Sequence, residues 1–507
     1  MMTATVGSAT LSGVEGHRVD VEVQCANGLP SVVMVGLPDA ACREARDRVK
    51  SAIHSAELDW PSRRVTVNLA PSTLRKLGTG LDLSIAVAVL VASGQLPPEC
   101  VEGRSFVGEL GLDGRVRAVP GMVPLVHALA GTEVVVPRDS FHEATVIHDG
   151  VVRSTPSLRA LYLALAAEEP WPLDPEPVFD LERLIEPDMC DVVGQPAARR
   201  AVEAAAAGGH HLLMLGPPGA GKTMLARRLV GLMPDLERTS SIEATLVHSA
   251  AGERLPAGGL VARPPFRAPH HGASMSSLVG GGSGMARPGE ISLAHRGVLF
   301  LDELGEFPPS VLDALRQPLE EGAIRISRSH ATLAFPARFL LVAAMNPCPC
   351  GEAGKPGACR CSDAARSRYA RRLSGPLLDR FDLRIMVSRP AVDDLLRRES
   401  HTESTAEVAD RVRNARARAQ KRGITVNADL KRADLAEVCT VTSEADRFLR
   451  HHLEAGMLSA RGLHRVQTVA LTLCDLADVD PVLDVGQLAG AISMRVEPGR
   501  LLQTVGA

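Results

Sequence analysis

Gly216-Pro217-Pro218-Gly219-Ala220-Gly221-Lys222-Thr223 follows directly on the apolar run Leu212-Leu213-Met214-Leu215 and leads into Met224 to Val230, which reads as a helix. A strand that ends in a glycine-rich turn and re-enters a helix aims successive backbone N–H groups at one point, where they converge on phosphate oxygens. Lys222 adds a point charge and Thr223 a hydroxyl ligand for Mg²⁺. The complete pattern between strand and helix predicts an α/β domain that binds ATP with Mg²⁺.

Further along, Val298-Leu299-Phe300-Leu301 has the pattern of a short buried strand and ends in Asp302-Glu303. The two carboxylates are expected to divide the work. Asp302 would hold the Mg²⁺ water shell, and Glu303 would orient and polarise the water that attacks the γ-phosphate. With both present, hydrolysis is favoured over nucleotide sensing.

At 507 residues the chain is too long for one core, and two to three domains are expected. The net charge of −3 is close to neutral, so any contact with nucleic acid has to come from local basic patches. Two basic runs qualify: Arg411, Arg413, Arg416, Arg418, Lys421 and Arg422, and Arg366, Arg368, Arg371 and Arg372. A solvated helix face is the competing reading of each. Met1 to Asp20 lacks a basic segment followed by an apolar one, so a cytoplasmic location is expected. The most apolar segment, Leu81 to Ala92, contains Asp82 and is shorter than the roughly 20 residues that span a bilayer; it is expected to be a core helix, and no membrane partner is expected. Ten cysteines without a secretory signal argue for thiols or a metal site over a disulfide framework.

Alternating stretches such as Val19-Asp20-Val21-Glu22-Val23 and Arg64-Val65-Thr66-Val67-Asn68 predict a mixed α/β domain over residues 1–169. The Pro-rich run from Pro170 to Pro177 opens a linker over 170–187, because proline lacks the N–H that helices and central strands need. The nucleotide domain is expected over 188–390, and a mainly helical domain over 391–507. In the latter, Leu463, Val466, Ala470 and Leu473 recur at helical spacing behind Ser459 as N-cap.

These residues resemble the AAA+ ATPases of the magnesium-chelatase type, specifically the YifB/ComM group. The resemblance spans nearly the whole chain. It rests on Val193-Gly194-Gln195, the phosphate loop, Arg267-Ala268-Pro269-His270-His271, the run from His295 to Glu303, Ala344-Met345-Asn346-Pro347, and Leu377-Leu378-Asp379-Arg380-Phe381-Asp382. It implies that Val193 and Gly194 border the nucleotide and that Asn346 helps place the attacking water. Arg380 becomes the arginine finger that reaches a neighbouring subunit's nucleotide, so a homo-oligomer, a hexameric ring, is implied. Arg461 becomes the lid arginine on the γ-phosphate, with Arg465 as its competitor. The Gly-rich Ala244 to Gly289 becomes a pore-facing insertion, as does a hairpin at Ile324-Arg325-Ile326 and Ala331-Thr332-Leu333. His270-His271 is read as loop structure or pore contact, since a metal site needs further ligands.

The resemblance also makes residues 1–169 a Lon-protease-like domain (ribosomal S5 domain 2-like). Its peptidase chemistry is expected to be absent, because Gly78 to Ser84 does not carry the serine motif; Ser72, Ser84, Lys50 and Lys76 are formal candidates for a dyad. Cys348, Cys350, Cys359 and Cys361 form two tight pairs that suit a structural Zn²⁺ as well as free thiols. As for the work done, a DNA translocase or branch-migration helicase of recombination or natural transformation is the leading implication. A chelatase-type motor with partner subunits is the alternative, and a non-catalytic or proteolytic regulator fits less well.

Overall fold

The alternation around Val19 lies in the strand Glu15–Ala26, which pairs antiparallel with Met2–Ser12 from Met2↔Cys25 to Ser12↔Glu15. Val19, Val21, Val23 and Cys25 are buried on one face, as a period of two requires. Gly13, at φ +67°, supplies the left-handed residue of the turn. Seven strands complete this sheet, in the order Ser31–Val35, Arg64–Ala70, Glu15–Ala26, Met2–Ser12, Arg104–Phe106, Glu133–Pro137 and Val152–Thr155. The helix Asp82–Ala92 is buried along its whole length, Asp82 included. Arg48 makes this tolerable, its Nε and Nη2 donating to the two carboxylate oxygens at 2.7 and 3.0 Å. Burial nevertheless pushes the Asp82 carboxyl up to about 6 against the pull of Arg48.

The computed structural model describes residues 2–176, 187–256, 259–282, 286–328, 331–353, 358–372, 375–391 and 402–496. Part of the expected linker falls outside them. Its beginning is docked on the sheet: the Trp171 ring takes the guanidinium groups of Arg104 and Arg153, each 5.7 Å from its centroid, and Asp174 accepts from the N–H and hydroxyl of Ser154. Ser84 donates to Leu81 O, and the buried Lys76 ammonium donates to Pro71 O, so each of these dyad candidates is committed to backbone.

A second sheet is wholly parallel, with five strands in the order Phe266–Arg267, Val298–Leu301, Leu340–Met345, Leu212–Leu215 and Leu383–Met386. Its inner strands are continuous apolar runs because helices cover both faces. Pro196 opens the helix Pro196–Gly208 and Gly209, at φ +71°, closes it. The segment expected as a long insertion is helical for its first residues, since Arg238–Ala251 turns Ser241, Ala244, Thr245 and Val247 inward at helical spacing. The hairpin beyond it forms, Ile324 facing Phe335 and Ile326 facing Leu333. The two sheets share a core in which Leu11, Met122, Leu125 and Val126 pack with Val247 and Ala250. Gly121 N donates to Ser249 O at 2.9 Å and Val123 N to Ser249 Oγ at 3.2 Å.

The C-terminal part is mainly helical, with one short parallel pair, Thr440–Val441 and Val482–Leu483. Ser459 caps Ala460–Leu476 through Gly462 N, and Val466, Ala470 and Leu473 are buried on that helix as its spacing predicts. His210 and His211, just before the strand Leu212–Leu215, are locked beneath this layer. His210 Nε2 meets Thr472 Oγ1 at 2.7 Å, and His211 Nδ1 accepts from Leu341 N at 3.0 Å. Burial, helped by the Arg465 charge, lowers both imidazoles to about 3 from an ordinary 6.5. A base whose folded pKa is depressed contributes stability above its unfolded pKa and loses it as pH falls toward the folded value. The thermal unfolding midpoint is therefore expected to hold above pH 6.5 and to fall progressively below it. His211→Gln, which keeps an acceptor for Leu341 N, is expected to flatten that fall in calorimetric scans between pH 7.5 and 5.

Candidate nucleotide site

Parallel pairing brings the ends of three strands to one edge, with Leu215 opposite Met345 and Leu301 opposite Ala343. In open α/β sheets that edge is where ligands sit. The phosphate loop leaves Leu215 there. Gly216 is packed so closely that a Cβ would stand 2.1 Å from Val387 O, while Gly219 and Gly221 take left-handed φ of +74° and +83°. Lys222 is buried, and its ammonium group donates to Gly216 O, Pro217 O and Asn346 Oδ1 at 2.7, 3.0 and 3.1 Å. All three of its donors are thus occupied, and phosphate oxygens would have to exchange with them. Burial lowers the Lys222 pKa, and Asp302 and Glu303 counter that.

Thr223 Oγ1 donates to Asp302 Oδ2 at 2.7 Å, which places both expected Mg²⁺ ligands in contact. Val193 and Gly194 border the loop because the next residue, Gln195, donates from Nε2 to Ala220 O and Ser388 O at 2.7 and 3.0 Å. Gly194 and Gln195 both take left-handed φ to make that approach.

Glu303 is itself left-handed, at φ +52°, a conformation that costs a non-glycine residue roughly 1 kcal/mol or more. Its N–H donates to Asp302 Oδ1 at 2.9 Å, and its carboxylate lies 3.2 Å from His271 Nδ1. His271 is the residue that sequence reasoning missed in this role. Its contact depends on the two-residue strand Phe266–Arg267 lying beside Val298–Leu301, too short a strand to read from pattern. His270 instead accepts from Gly272 N at 3.1 Å, and among the described residues no metal-ligand cluster forms around this pair.

Two expected residues lie elsewhere. Arg380 precedes the strand Leu383–Met386, and Asp382 N and Leu383 N both donate to His211 O, so Arg380 belongs to the edge where the strands begin. The four residues of Leu212–Leu215 separate that edge from the phosphate loop by roughly 13 Å. Arg380 is ion-paired with Glu320, and Arg461 lies within its electrostatic range. Arg461 therefore accompanies Arg380 at this edge. Arg465, its competitor, donates to Arg380 O and pairs with Asp382, which commits it to the domain junction.

The basic run from Arg411 to Arg422 is largely consumed by the fold. Arg411 pairs with Glu203 and Glu403, Arg416 donates to Ala206 O, and Arg418 and Arg422 converge on the buried Asp475. In the other run Arg366 pairs with Asp363 and Arg372 with Glu306, leaving Arg368 and Arg371 exposed on the helix Asp363–Arg371. Cys348, Cys350, Cys359 and Cys361 come together, their four sulfurs within 4.8 Å of one another. Among the described residues no helix is long and apolar enough to cross a membrane.

Comparison with known proteins matches residues 188–395 to the family model for magnesium chelatase, subunit ChlI, and residues 402–495 to the model for the C-terminal part of that subunit. Residues 21–140 match a further model, subunit ChlI of Mg-chelatase. The chain is 42% identical to the competence protein ComM of Haemophilus influenzae, covering 99% of each. It is 41% identical to the uncharacterised protein YifB of Escherichia coli, covering 98% of this chain and 97% of the relative. With an uncharacterised protein of Mycobacterium tuberculosis it shares 45% identity over 96% of this chain and 97% of the relative.

A carboxylate held by an imidazole is not free to orient water. His271→Ala is expected to raise basal ATP turnover by up to about fivefold, the ~1 kcal/mol ceiling for a half-exposed polar side-chain contact, with KM unchanged. Steady-state kinetics checks this, and a fall in kcat would show that His271 assists Glu303 and does not restrain it.

Proposed function

The chain belongs to the YifB/ComM family of magnesium-chelatase-like AAA+ proteins, and from that membership we propose that it is an ATP-hydrolysing ring motor that acts on DNA. One observation carries the ATPase reading. Lys222, Thr223, Asp302, Glu303 and Asn346 meet at one edge of the parallel sheet, while Arg380 and Arg461 stand at the opposite edge. A site so divided is complete only when a second copy brings its arginines to the first copy's nucleotide, which is the logic of a homo-oligomeric ring, here a hexamer.

In this reading Lys222 and the loop N–H groups hold the β- and γ-phosphates, and Thr223 and Asp302 would hold Mg²⁺, which when bound would supply positive charge beside the phosphoryl oxygens. Glu303, released from His271, orients the attacking water with Asn346. Arg380 of the neighbouring copy neutralises charge in the transition state, and Arg461 supports it from the lid. Residues 1–169 form a Lon-protease-like scaffold without peptidase chemistry, joined by the 170–187 linker to an ATPase domain over 188–390 and a lid over 391–507. The four cysteines hold a structural Zn²⁺, and the protein works in the cytoplasm.

DNA is favoured as substrate by the relative named as a competence protein and by the exposed Arg368 and Arg371. The ring would then drive branch migration or strand separation. The chelatase-type motor is the second reading, favoured by three family models that carry that name.

Arg380→Ala and Lys222→Ala are each expected to lower kcat by roughly 10³-fold. Mixed, the two are expected to recover turnover, because an intact loop on one copy meets an intact arginine on the next; no recovery would place Arg380 outside the site. Branched or single-stranded DNA is expected to stimulate wild-type turnover and to leave Glu303→Gln inert. Turnover indifferent to DNA but raised by a chelatase-type partner would replace the DNA reading with the second.

A further inference from the structure

The cysteine cluster lies two residues beyond Asn346, and its geometry is more specific than proximity. Cys348 Sγ is 3.4 Å from Cys350 Sγ and 3.7 Å from Cys359 Sγ, and the latter two are 3.7 Å apart. A tetrahedron of thiolates about Zn²⁺, with Zn–S near 2.3 Å, has edges of about 3.8 Å. A disulfide would require about 2.05 Å, and all ten cysteines are free. An iron–sulfur cluster would need a wider cage, since its metal core has to fit between the sulfurs. Ala353 N donates to Cys348 Sγ at 3.3 Å, and Gly351 N donates to Cys348 O at 2.9 Å, so the chain turns tightly around the first sulfur. Four soft sulfur ligands with no open position suit a closed, structural Zn²⁺ site.

The same turn rests on the phosphate loop. Gly351, at φ +79°, lies so close to Pro218 that a Cβ would stand 2.5 Å from Pro218 Cδ. Arg389 ties the two together, its Nε donating to Pro218 O at 3.1 Å and its Nη2 to Glu352 Oε1 at 3.0 Å. On the other side of the loop, Gly216 N donates to Met345 O at 3.1 Å. The segment from Met345 to Glu352 thus grips the first half of the loop, at Gly216 and at Pro218, and the cysteines close that grip.

We propose that Cys348, Cys350, Cys359 and Cys361 bind one Zn²⁺ and that the resulting knuckle braces the phosphate loop at Pro218, so that metal occupancy sets nucleotide affinity. The cysteines bind as thiolates, and any thiol proton displaced by the metal passes to solvent. The affinity arm rests on the nucleotide-site reading above; the metal arm does not.

The test uses the full-length protein. Elemental analysis is expected to find about one Zn²⁺ per chain, and Co²⁺ exchanged into the site is expected to show the thiolate charge-transfer and visible bands of a tetrahedral S₄ site. Cys350→Ser and Cys361→Ser, with Cys190→Ser as an exposed control, are expected to lose the metal. Their ATP dissociation constants, by calorimetric titration, are expected to weaken by roughly fivefold or more. Gly351→Ala leaves all four cysteines in place and is expected to keep the metal and weaken ATP to a similar degree, because the added methyl collides with Pro218 and strains the left-handed turn. Wild-type protein that holds no zinc and develops no Co²⁺ bands overturns the site. A zinc-free Cys350→Ser or Cys361→Ser variant that melts like wild type and binds ATP as tightly overturns the brace. Zinc-loaded Lys222→Ala that binds ATP like wild type overturns the nucleotide-site reading and leaves the metal site standing.

Discussion

Parallel pairing of Leu212–Leu215 with Leu340–Met345 decides which residues can meet. Because Leu215 lies opposite Met345, the loop that begins at Gly216 and the side chain of Asn346 leave the sheet at the same level, and the Lys222 ammonium can reach both. Leu340–Met345 also pairs with Val298–Leu301, which brings Asp302 within 2.7 Å of the Thr223 hydroxyl. A slip of one residue in either pairing would exchange the side chains packed on the two buried faces, Leu212 and Met214 on one and Leu213 and Leu215 on the other, and close packing on both sides opposes it. The site's precision is therefore bought by packing, well away from any phosphate.

At the other edge the constraint is electrostatic. Asp382 collects the Arg465 guanidinium and accepts from His211 N, with His210 3.8 Å away. Arg495 brings a second cation, donating to Phe381 O and Asp382 O at 3.0 Å, and the imidazoles stay neutral for want of solvent and because the Arg465 charge opposes theirs. The lid is thus clamped to the start of the strand Leu383–Met386. Arg380, on the same short connection, is held by Glu320 on the helix Arg316–Glu321, at the sheet edge opposite its own phosphate loop.

The phosphate loop, the acidic strand end, the alternation around Val19 and the capped helix behind Ser459 were all legible in the sequence, because each is a local pattern fixed by strand or helix period. The four cysteines were legible as two pairs, though only the fold shows their sulfurs in one cage. What failed to show were partnerships across distance. The arginines from Arg411 to Arg422 look like a basic face until Glu203, Glu403 and Asp475 are seen against them, and nothing near them in sequence announces those carboxylates. Arg461 reads as a phosphate ligand from its motif, but which phosphate it can approach depends on the edge of the sheet at which its helix begins. His271 was visible as a residue and invisible as a partner of Glu303, since a strand of two residues has no period to detect.

The helix Arg238–Ala251 joins these levels. Its Ser249 is held by Gly121 and Val123 of the N-terminal sheet domain, and its hydroxyl donates to the half-buried Glu143, whose carboxyl is pushed up by desolvation. The chain that leaves this helix runs on to His271 and so to Glu303. His248, one residue before Ser249, donates from Nε2 to Leu293 O at 3.0 Å, fastening the helix to the segment that leads into Val298–Leu301. Displacing the N-terminal domain would therefore pull on one packed helix whose neighbours carry both members of the His271–Glu303 pair. That connection is made of hydrogen bonds and shared core, and it ties the N-terminal domain to the segment that carries the carboxylate.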